Sequence, residues 1–265
     1  MSSSFVQAAD IGLVTAGVVL GLWAVAVAAS FATARTTMRP AVSGVIVASS
    51  GMATVLLAGS MTVVDTVADQ YSIAQWDLPV LDWFLGHRSG VATALMTAVS
   101  AAGGTGAMAV LAAGGVVVLA WRRHWVDAGV VVVAAVAAFV LNAGFKRLYG
   151  RARPPLADQL TPQDTFALPS GHALVSVVVI GVLAGICVLR WRSGSRQLLA
   201  VTAVVVAAVV VAVIGISRLY LGVHWFTDVV TGWLLGGAWL VVCLGGLWAY
   251  ERVNQARQAV PATMQ

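Results

Sequence analysis

Three short stretches of this chain gather the residue types that handle phosphate. Residues 146–154 read K-R-L-Y-G-R-A-R-P, residues 169–172 read P-S-G-H, and residues 217–228 read S-R-L-Y-L-G-V-H-W-F-T-D. Each stands at the end of an apolar run, where an ionisable side chain is costly and is retained for a function. Lys146 is the only lysine among the 15 basic residues, the rest being arginine.

His224 and Asp228 are four residues apart, so a helix beginning near Trp225 puts them on one face, with the carboxylate in reach of the imidazole. Such a contact fixes one tautomer and makes the other ring nitrogen a better nucleophile or base. The plainer alternative is a satisfied interfacial histidine. Arg218, at the same membrane face, tips the balance by offering a cation to an anionic group. P-S-G-H describes a helix start. Pro169 stiffens the approach, Ser170 suits the N-cap, Gly171 lets the backbone come close to a ligand, and His172 enters the first turn. Amides and dipole at such an end bind phosphate. Lys146 and Arg153 supply a point cation and a planar guanidinium that can approach one phosphate from different sides. Arg147 and Arg151 read as secondary, either contacts to headgroups or substrate, or interfacial cations whose stems snorkel.

The elements that carry these residues belong in a bilayer. With 60% hydrophobic and 9% charged residues and a mean hydropathy of +0.93, the chain is far from a soluble domain, whose charged fraction is about 25%. The net charge of +5 does not indicate nucleic acid, because the basic residues are dispersed between apolar runs rather than clustered on one polar face. Cys187 and Cys243 each fall within an apolar run and read as packing residues, not as a disulfide or metal pair.

A spanning helix needs about 20 mostly apolar residues, and seven runs qualify: approximately 11–33, 41–64, 91–120, 128–145, 172–189, 198–216 and 229–250. The third is overlong, and Gly103-Gly104-Thr105-Gly106 in its middle marks a kink, a tilt or a frayed end. The first ends in Ala32-Thr33-Ala34, which resembles a signal-peptide cleavage site, but no basic residue precedes it, so retention as a helix is expected. Between the second and third runs, Trp76, Leu78, Val80, Leu81, Trp83 and Phe84 alternate with Asp77, Asp82, His87 and Arg88. That mixture suits either an interfacial helix on the outer leaflet or an ordinary loop. Gly181 with Gly185, and Gly232 with Gly236, are spaced for close helix contact.

Alternating sides along seven helices places Arg35, Arg39, Arg122, Arg123, Arg190, Arg192, Arg196, Arg252 and Arg257 on one face. The other face receives Arg88, Lys146, Arg147, Arg151, Arg153 and Arg218, nearly all from the phosphate-type stretches. The positive-inside rule makes the first face cytoplasmic, so the N-terminus is expected outside, the C-terminus inside, and all three stretches extracytoplasmic.

In this order and at these spacings, K-x6-R-P, P-S-G-H and S-R-x5-H-x3-D resemble the three signature motifs of the type 2 phosphatidic acid phosphatase (PAP2) superfamily, matched at every signature position. The resemblance covers roughly residues 41–250 and implies an all-α, polytopic membrane fold. It divides the chain into an added N-terminal transmembrane helix (1–40), a six-helix catalytic core (41–250) with an interfacial segment (66–90), and a cytoplasmic tail (251–265). Carried over residue by residue, it makes His224 the nucleophile that forms a phosphohistidine, with Asp228 orienting it. His172 becomes the acid for the leaving oxygen and then the base for water. Lys146, Arg153, Ser170, the Gly171 amide and Arg218 become the phosphoryl-binding groups. No metal and no cofactor are implied. The expected partner is a lipid-linked phosphate or diphosphate, such as a polyprenyl diphosphate or a phospholipid phosphate, whose tail stays in the plasma membrane. Other readings of the same residues are a phosphotransferase that passes the group to a lipid or sugar acceptor, and a transporter or inactive lipid-binding protein.

Overall fold

The computed structural model describes residues 40–69, 72–191 and 196–258, and every regular element among them is helical. In order they are α1 (Pro40–Asp69), a 3-10 turn (Ser72–Trp76), α2 (Asp77–Gly86), α3 (Gly90–Ala102), α4 (Thr105–Trp121), α5 (Trp125–Tyr149), a second 3-10 turn (Leu156–Asp158), α6 (Gly171–Arg190), α7 (Arg196–Tyr220) and α8 (Phe226–Gln258). Five of them are long and apolar enough to cross a bilayer, within α1, α5, α6, α7 and α8. α3 and α4 pass the same test as a pair bent by 48°. The chain is therefore a multi-pass membrane protein. The six apolar runs after residue 40 all form helices; the run at 11–33, and with it the expected added helix, lies outside the described residues. α8 continues to Gln258, so the first residues of the expected tail are helical.

The bend in the third run falls at Gly103-Gly104, which resolves the choice between kink, tilt and frayed end in favour of a break between two helices. Its cause is backbone pairing. Gly103 N–H bonds to Val99, but Gly104 N–H, which would close on Ser100 in a continuous helix, goes to Ala101 at 3.1 Å. The Ser100 carbonyl is thereby left out of the ladder. Between α1 and α3, the stretch read as either interfacial helix or loop is helical, and α2 turns Leu78 and Trp83 outward, 61% and 57% exposed.

α6 is the central helix, packed against α5, α7 and α8, with Leu174, Val175, Val178, Val179 and Val182 fully buried. Lipid tails are as apolar as these side chains, so helix association here depends on close approach and dispersion rather than on burial from water. Small residues on α8 supply it. A Cβ on Gly232 would lie 2.8 Å from the Ser170 carbonyl oxygen, and one on Gly236 2.7 Å from that of Leu174. On α6, Gly181 and Gly185 receive Leu240 and Leu244 of α8. Both glycine pairs therefore do what their spacing suggests.

The two ends of the bundle differ. At one, Asp127 of α5 pairs with Arg190 of α6 at 2.5 Å, and Arg190 reaches Glu251 of α8 at 2.8 Å. At the other stand the end of α5, the start of α6, the end of α7 and the start of α8, which carry the three phosphate-type stretches.

Candidate active site

Two backbone turns deliver the site residues. α5 ends in Gly150, whose left-handed φ of +56° and N–H bond to the Lys146 carbonyl form an αL cap and send the chain across the bundle end through Arg151 and Arg153. α7 ends in a turn at Gly222, with φ of +68°. A Cβ there would press on the Asp158 carbonyl and lie 2.7 Å from Arg88 Nη2, so the turn that returns the chain to His224 takes only glycine. Arg88 fastens this turn by donating to the carbonyls of Tyr220 and Asp158, at 3.2 and 2.8 Å.

His224 is 3% exposed. Its Nδ1 faces Asp228 Oδ2 at 3.3 Å, and its Nε2 faces Arg153 Nη1 at 3.2 Å. The i, i+4 pair thus forms as the spacing suggests, although α8 begins one residue later than expected, at Phe226. The carboxylate beside Nδ1 holds a proton there, which leaves the lone pair on Nε2, next to the guanidinium. Burial, followed by the fields of Arg153, Arg218, Lys146 and His172, keeps His224 well below the ordinary histidine pKa of 6.5. The imidazole is therefore neutral at physiological pH, the state a nucleophile requires.

The cations converge on one loop. Lys146 Nζ donates to the Phe166 carbonyl, and Arg153 Nη2 donates to the same oxygen at 3.3 Å. Arg153 also holds the Thr165 carbonyl through Nε at 2.6 Å and the Val223 carbonyl through Nη1 at 2.5 Å. Burial pushes the Arg153 pKa down, against the pull of Asp228. Two side chains of different geometry meeting at one oxygen can do the same for a phosphoryl oxygen.

Ser170 occupies the N-cap position of α6, but its hydroxyl does not cap the helix. That is a correction to the expected cap. Its N–H instead bonds to the Asp228 carbonyl at 2.9 Å, which ties the second stretch to the third. The hydroxyl oxygen is buried and, among the described residues, has no hydrogen-bond partner. Burying a hydroxyl in that state costs free energy that a bound acceptor or donor recovers. Gly171 opens α6, but the space a Cβ would fill is taken by Asn142 Nδ2 of α5 at 2.9 Å, so a neighbouring side chain already demands a glycine there. His172 enters the first turn of α6 as expected.

Arg218 is 3% exposed, and its Nη1 donates to Ser100 Oγ. The His172 ring is hydrogen-bonded to the Ser100 backbone. The helix break between α3 and α4 thus sets one residue against two members of the site. Its carbonyl, released from the ladder, takes the histidine, and its hydroxyl takes the arginine. The two histidines consequently differ in what orients them: a carboxylate for His224, a neutral carbonyl for His172. A carboxylate partner favours an electron-rich ring that can act as a nucleophile. Sequence reading passed over Ser100, although a serine just before Gly103-Gly104 in an apolar run was the available signal. The Ser100→Ala protein should lose about tenfold in kcat/KM, the worth of one hydrogen bond to a charged group. Steady-state kinetics with unchanged kcat/KM would remove Ser100 from the site.

Two residues require a larger correction. The sequence pattern puts Asp77 among the polar side chains of an interfacial segment and gives Arg151 a headgroup, guidance or snorkelling role. Both are buried, at 5% and 8% exposure. Arg151 Nη2 meets Asp77 Oδ2 at 2.6 Å and its Nη1 meets Asp228 Oδ1 at 2.5 Å. Burial disfavours the Arg151 charge, but the two carboxylates outweigh it and hold its pKa above the usual value. Burial likewise pushes the Asp77 carboxyl up, against the pull of Arg151 and Thr227. Arg147, by contrast, is exposed. Among the described residues, no three His, Cys, Asp or Glu side chains converge as metal ligands would.

Bundle and site together define a helical membrane protein with a histidine and several cations gathered at the helix ends. Residues 126–252 match the family model described as the PAP2 superfamily, and the chain carries a PAP2 superfamily domain. Phosphatidylglycerophosphatase B of Bacillus subtilis is 36% identical over 99 residues, 37% of this chain and 46% of that protein. An undecaprenyl-diphosphatase of Sulfolobus acidocaldarius is 35% identical over 115 residues, 41% of this chain and 49% of that protein. The chain thus matches about half the length of these curated relatives. The crystal structure of a transmembrane PAP2-type phosphatidylglycerolphosphate phosphatase from Bacillus subtilis aligns with a TM-score of 0.65. That alignment covers 74% of this chain and 96% of the other at 23% identity, a likeness of fold.

Proposed function

We propose that this protein is an integral-membrane, metal-independent lipid phosphatase. It hydrolyses a lipid-linked phosphate or diphosphate through a phosphohistidine on His224, at the extracytoplasmic face of the plasma membrane. The observation that carries this reading is the arrangement around His224: Nδ1 on the Asp228 carboxylate, Nε2 toward Arg153, and Arg218, Lys146 and His172 close enough to act on its charge. Relatives named as acting on phosphatidylglycerophosphate and undecaprenyl diphosphate give the same substrate chemistry. Bundle-end placement suits a lipid, whose tail remains between helices while the headgroup reaches the site.

In the first step the Nε2 lone pair attacks phosphorus, the P–O bond to the lipid breaks, and His172 gives its proton to the departing oxygen. In the second, His172 takes a proton from water, the water oxygen attacks phosphorus, and the P–N bond breaks to return neutral His224 and inorganic phosphate. Lys146, Arg153, Arg218, the Ser170 hydroxyl and the amides at the start of α6 stabilise charge on the phosphoryl oxygens. Asp228 stabilises the positive charge that His224 acquires on attack.

The test is phosphate release by detergent-purified protein from a panel of lipid monophosphates and diphosphates. Release from at least one supports the proposal, and release from none overturns it. Transfer to an added lipid or sugar acceptor in preference to water would instead identify a phosphotransferase. Activity should persist in excess EDTA, since the cationic side chains supply the charge neutralisation that metal ions provide elsewhere. A loss that magnesium or zinc restores would contradict the metal-free mechanism.

A further inference from the structure

The buried network of Asp77, Arg151, Thr227 and Asp228 joins three separate elements: α2, the loop after α5, and the start of α8. Asp228 uses Oδ2 for the Trp225 N–H at 2.8 Å and for His224 Nδ1. What remains to fix its orientation is Oδ1, and Arg151 Nη1 occupies it at 2.5 Å. The guanidinium is in turn held from its far side by Asp77 Oδ2, while Nη1 also reaches Thr227 Oγ1 at 2.8 Å. Asp77 Oδ1 accepts the Thr227 N–H at 2.9 Å, so a side chain on α2 ties down the first turn of α8 one residue before Asp228. Thr227 and Asp228 are fully buried.

Stability alone is a weak reason for this network. Well-packed apolar side chains often replace a buried ion network without loss of stability, whereas the ions impose a particular geometry. Here that geometry ends on the imidazole. We propose that Arg151 and Asp77 are positioning residues, which orient the Asp228 carboxylate and set how strongly it draws on the Nδ1 proton of His224. Asp77 shares the Arg151 charge with Asp228. With Asp77 ionised, Asp228 keeps more of its negative charge for the imidazole; with that charge removed, Arg151 acts on Asp228 alone and weakens it as an acceptor. Besides Asp228, the imidazole faces Arg153 from the loop after α5, Arg218 from α7, Lys146 from α5 and His172 from α6. None of these is altered by changing Asp77. α2, with Leu78 and Trp83 turned outward, thereby reaches the Asp228 carboxylate through Asp77 and Arg151.

The inference rests on the reading of His224 as nucleophile, so its test has one arm that needs no activity. Three quantities are measured on purified wild-type, Asp77→Asn and Arg151→Lys proteins: kcat and KM for a lipid phosphate, and the downfield proton resonance of His224 Nδ1–H, assigned by its loss in His224→Ala. Asp77→Asn should lower kcat about tenfold or more, the scale of a small misplacement at a reacting group, while KM stays within about twofold. The resonance should move upfield as the hydrogen bond to Asp228 weakens. Arg151→Lys keeps the charge but cannot bridge two carboxylates, and should show the same split between kcat and KM. A resonance unmoved in Asp77→Asn overturns the proposal whatever the rate does. Failure of both conservative variants to fold would assign the network to folding and overturn it as well. If wild-type protein releases no phosphate, the phosphatase reading fails, while the resonance still decides whether Asp77 acts on His224.

Discussion

The His224→Ala protein should purify as wild type does and release no measurable phosphate from any lipid phosphate that the wild type turns over. Folding should survive, because the alanine keeps the backbone of the turn, and Asp228 retains Arg151 and the Trp225 N–H as partners. Chemistry should not survive. The cations that remain can still bind and polarise a phosphoryl group, but among the described residues no second side chain presents a ring nitrogen flanked by a carboxylate on one side and a guanidinium on the other. Loss of a covalent nucleophile costs several orders of magnitude in kcat. Residual turnover above about one per cent of wild type, in a sample free of contaminating phosphatase, would mean that His224 is not the attacking group.

Much of the architecture was legible because membrane helices announce themselves locally. A run of about 20 apolar residues must span as a helix, since backbone groups in lipid have no other partners. Even the break in the third run was marked by glycines. The site was legible to the same degree that it is local. His224 and Asp228 share one helical turn, and Lys146 and Arg153 flank one cap. Arg151 shows where this ends. Gly150 and Ala152 on either side of it are exposed, and nothing in K-R-L-Y-G-R-A-R-P distinguishes a snorkelling arginine from one that folds inward. Its fate is decided by Asp77, 74 positions away, and by Asp228, 77 positions away. Asp77 in turn looked interfacial because its neighbours Trp76 and Leu78 are outward-facing, while a helix turns adjacent side chains about 100° apart. Ser170 fits every local rule for an N-cap, yet its hydroxyl makes no capping bond, and position alone could not reveal that.

The roles of His172 and His224 separate by trapping. If His172 gives a proton to the leaving oxygen and then takes one from water, replacing it slows both steps, but unequally for a chosen substrate. An aryl phosphate with an acidic phenol as leaving group needs little protonation, so the first step should proceed in the His172→Ala protein. Hydrolysis still lacks its base, and the phosphoenzyme should accumulate. Incubation with a labelled activated aryl phosphate, followed by quenching under alkaline conditions that preserve phosphohistidine, should therefore leave label on His172→Ala and none on His224→Ala. Their surroundings predict this order, because His224 has the Asp228 carboxylate to stabilise its charge on attack, while among the described residues His172 meets the backbone of Ser100 and no carboxylate. Label retained on His224→Ala and absent from His172→Ala would reverse the assignment. His172 would then be the nucleophile, and the contact between His224 and Asp228 would serve to hold the start of α8 in place.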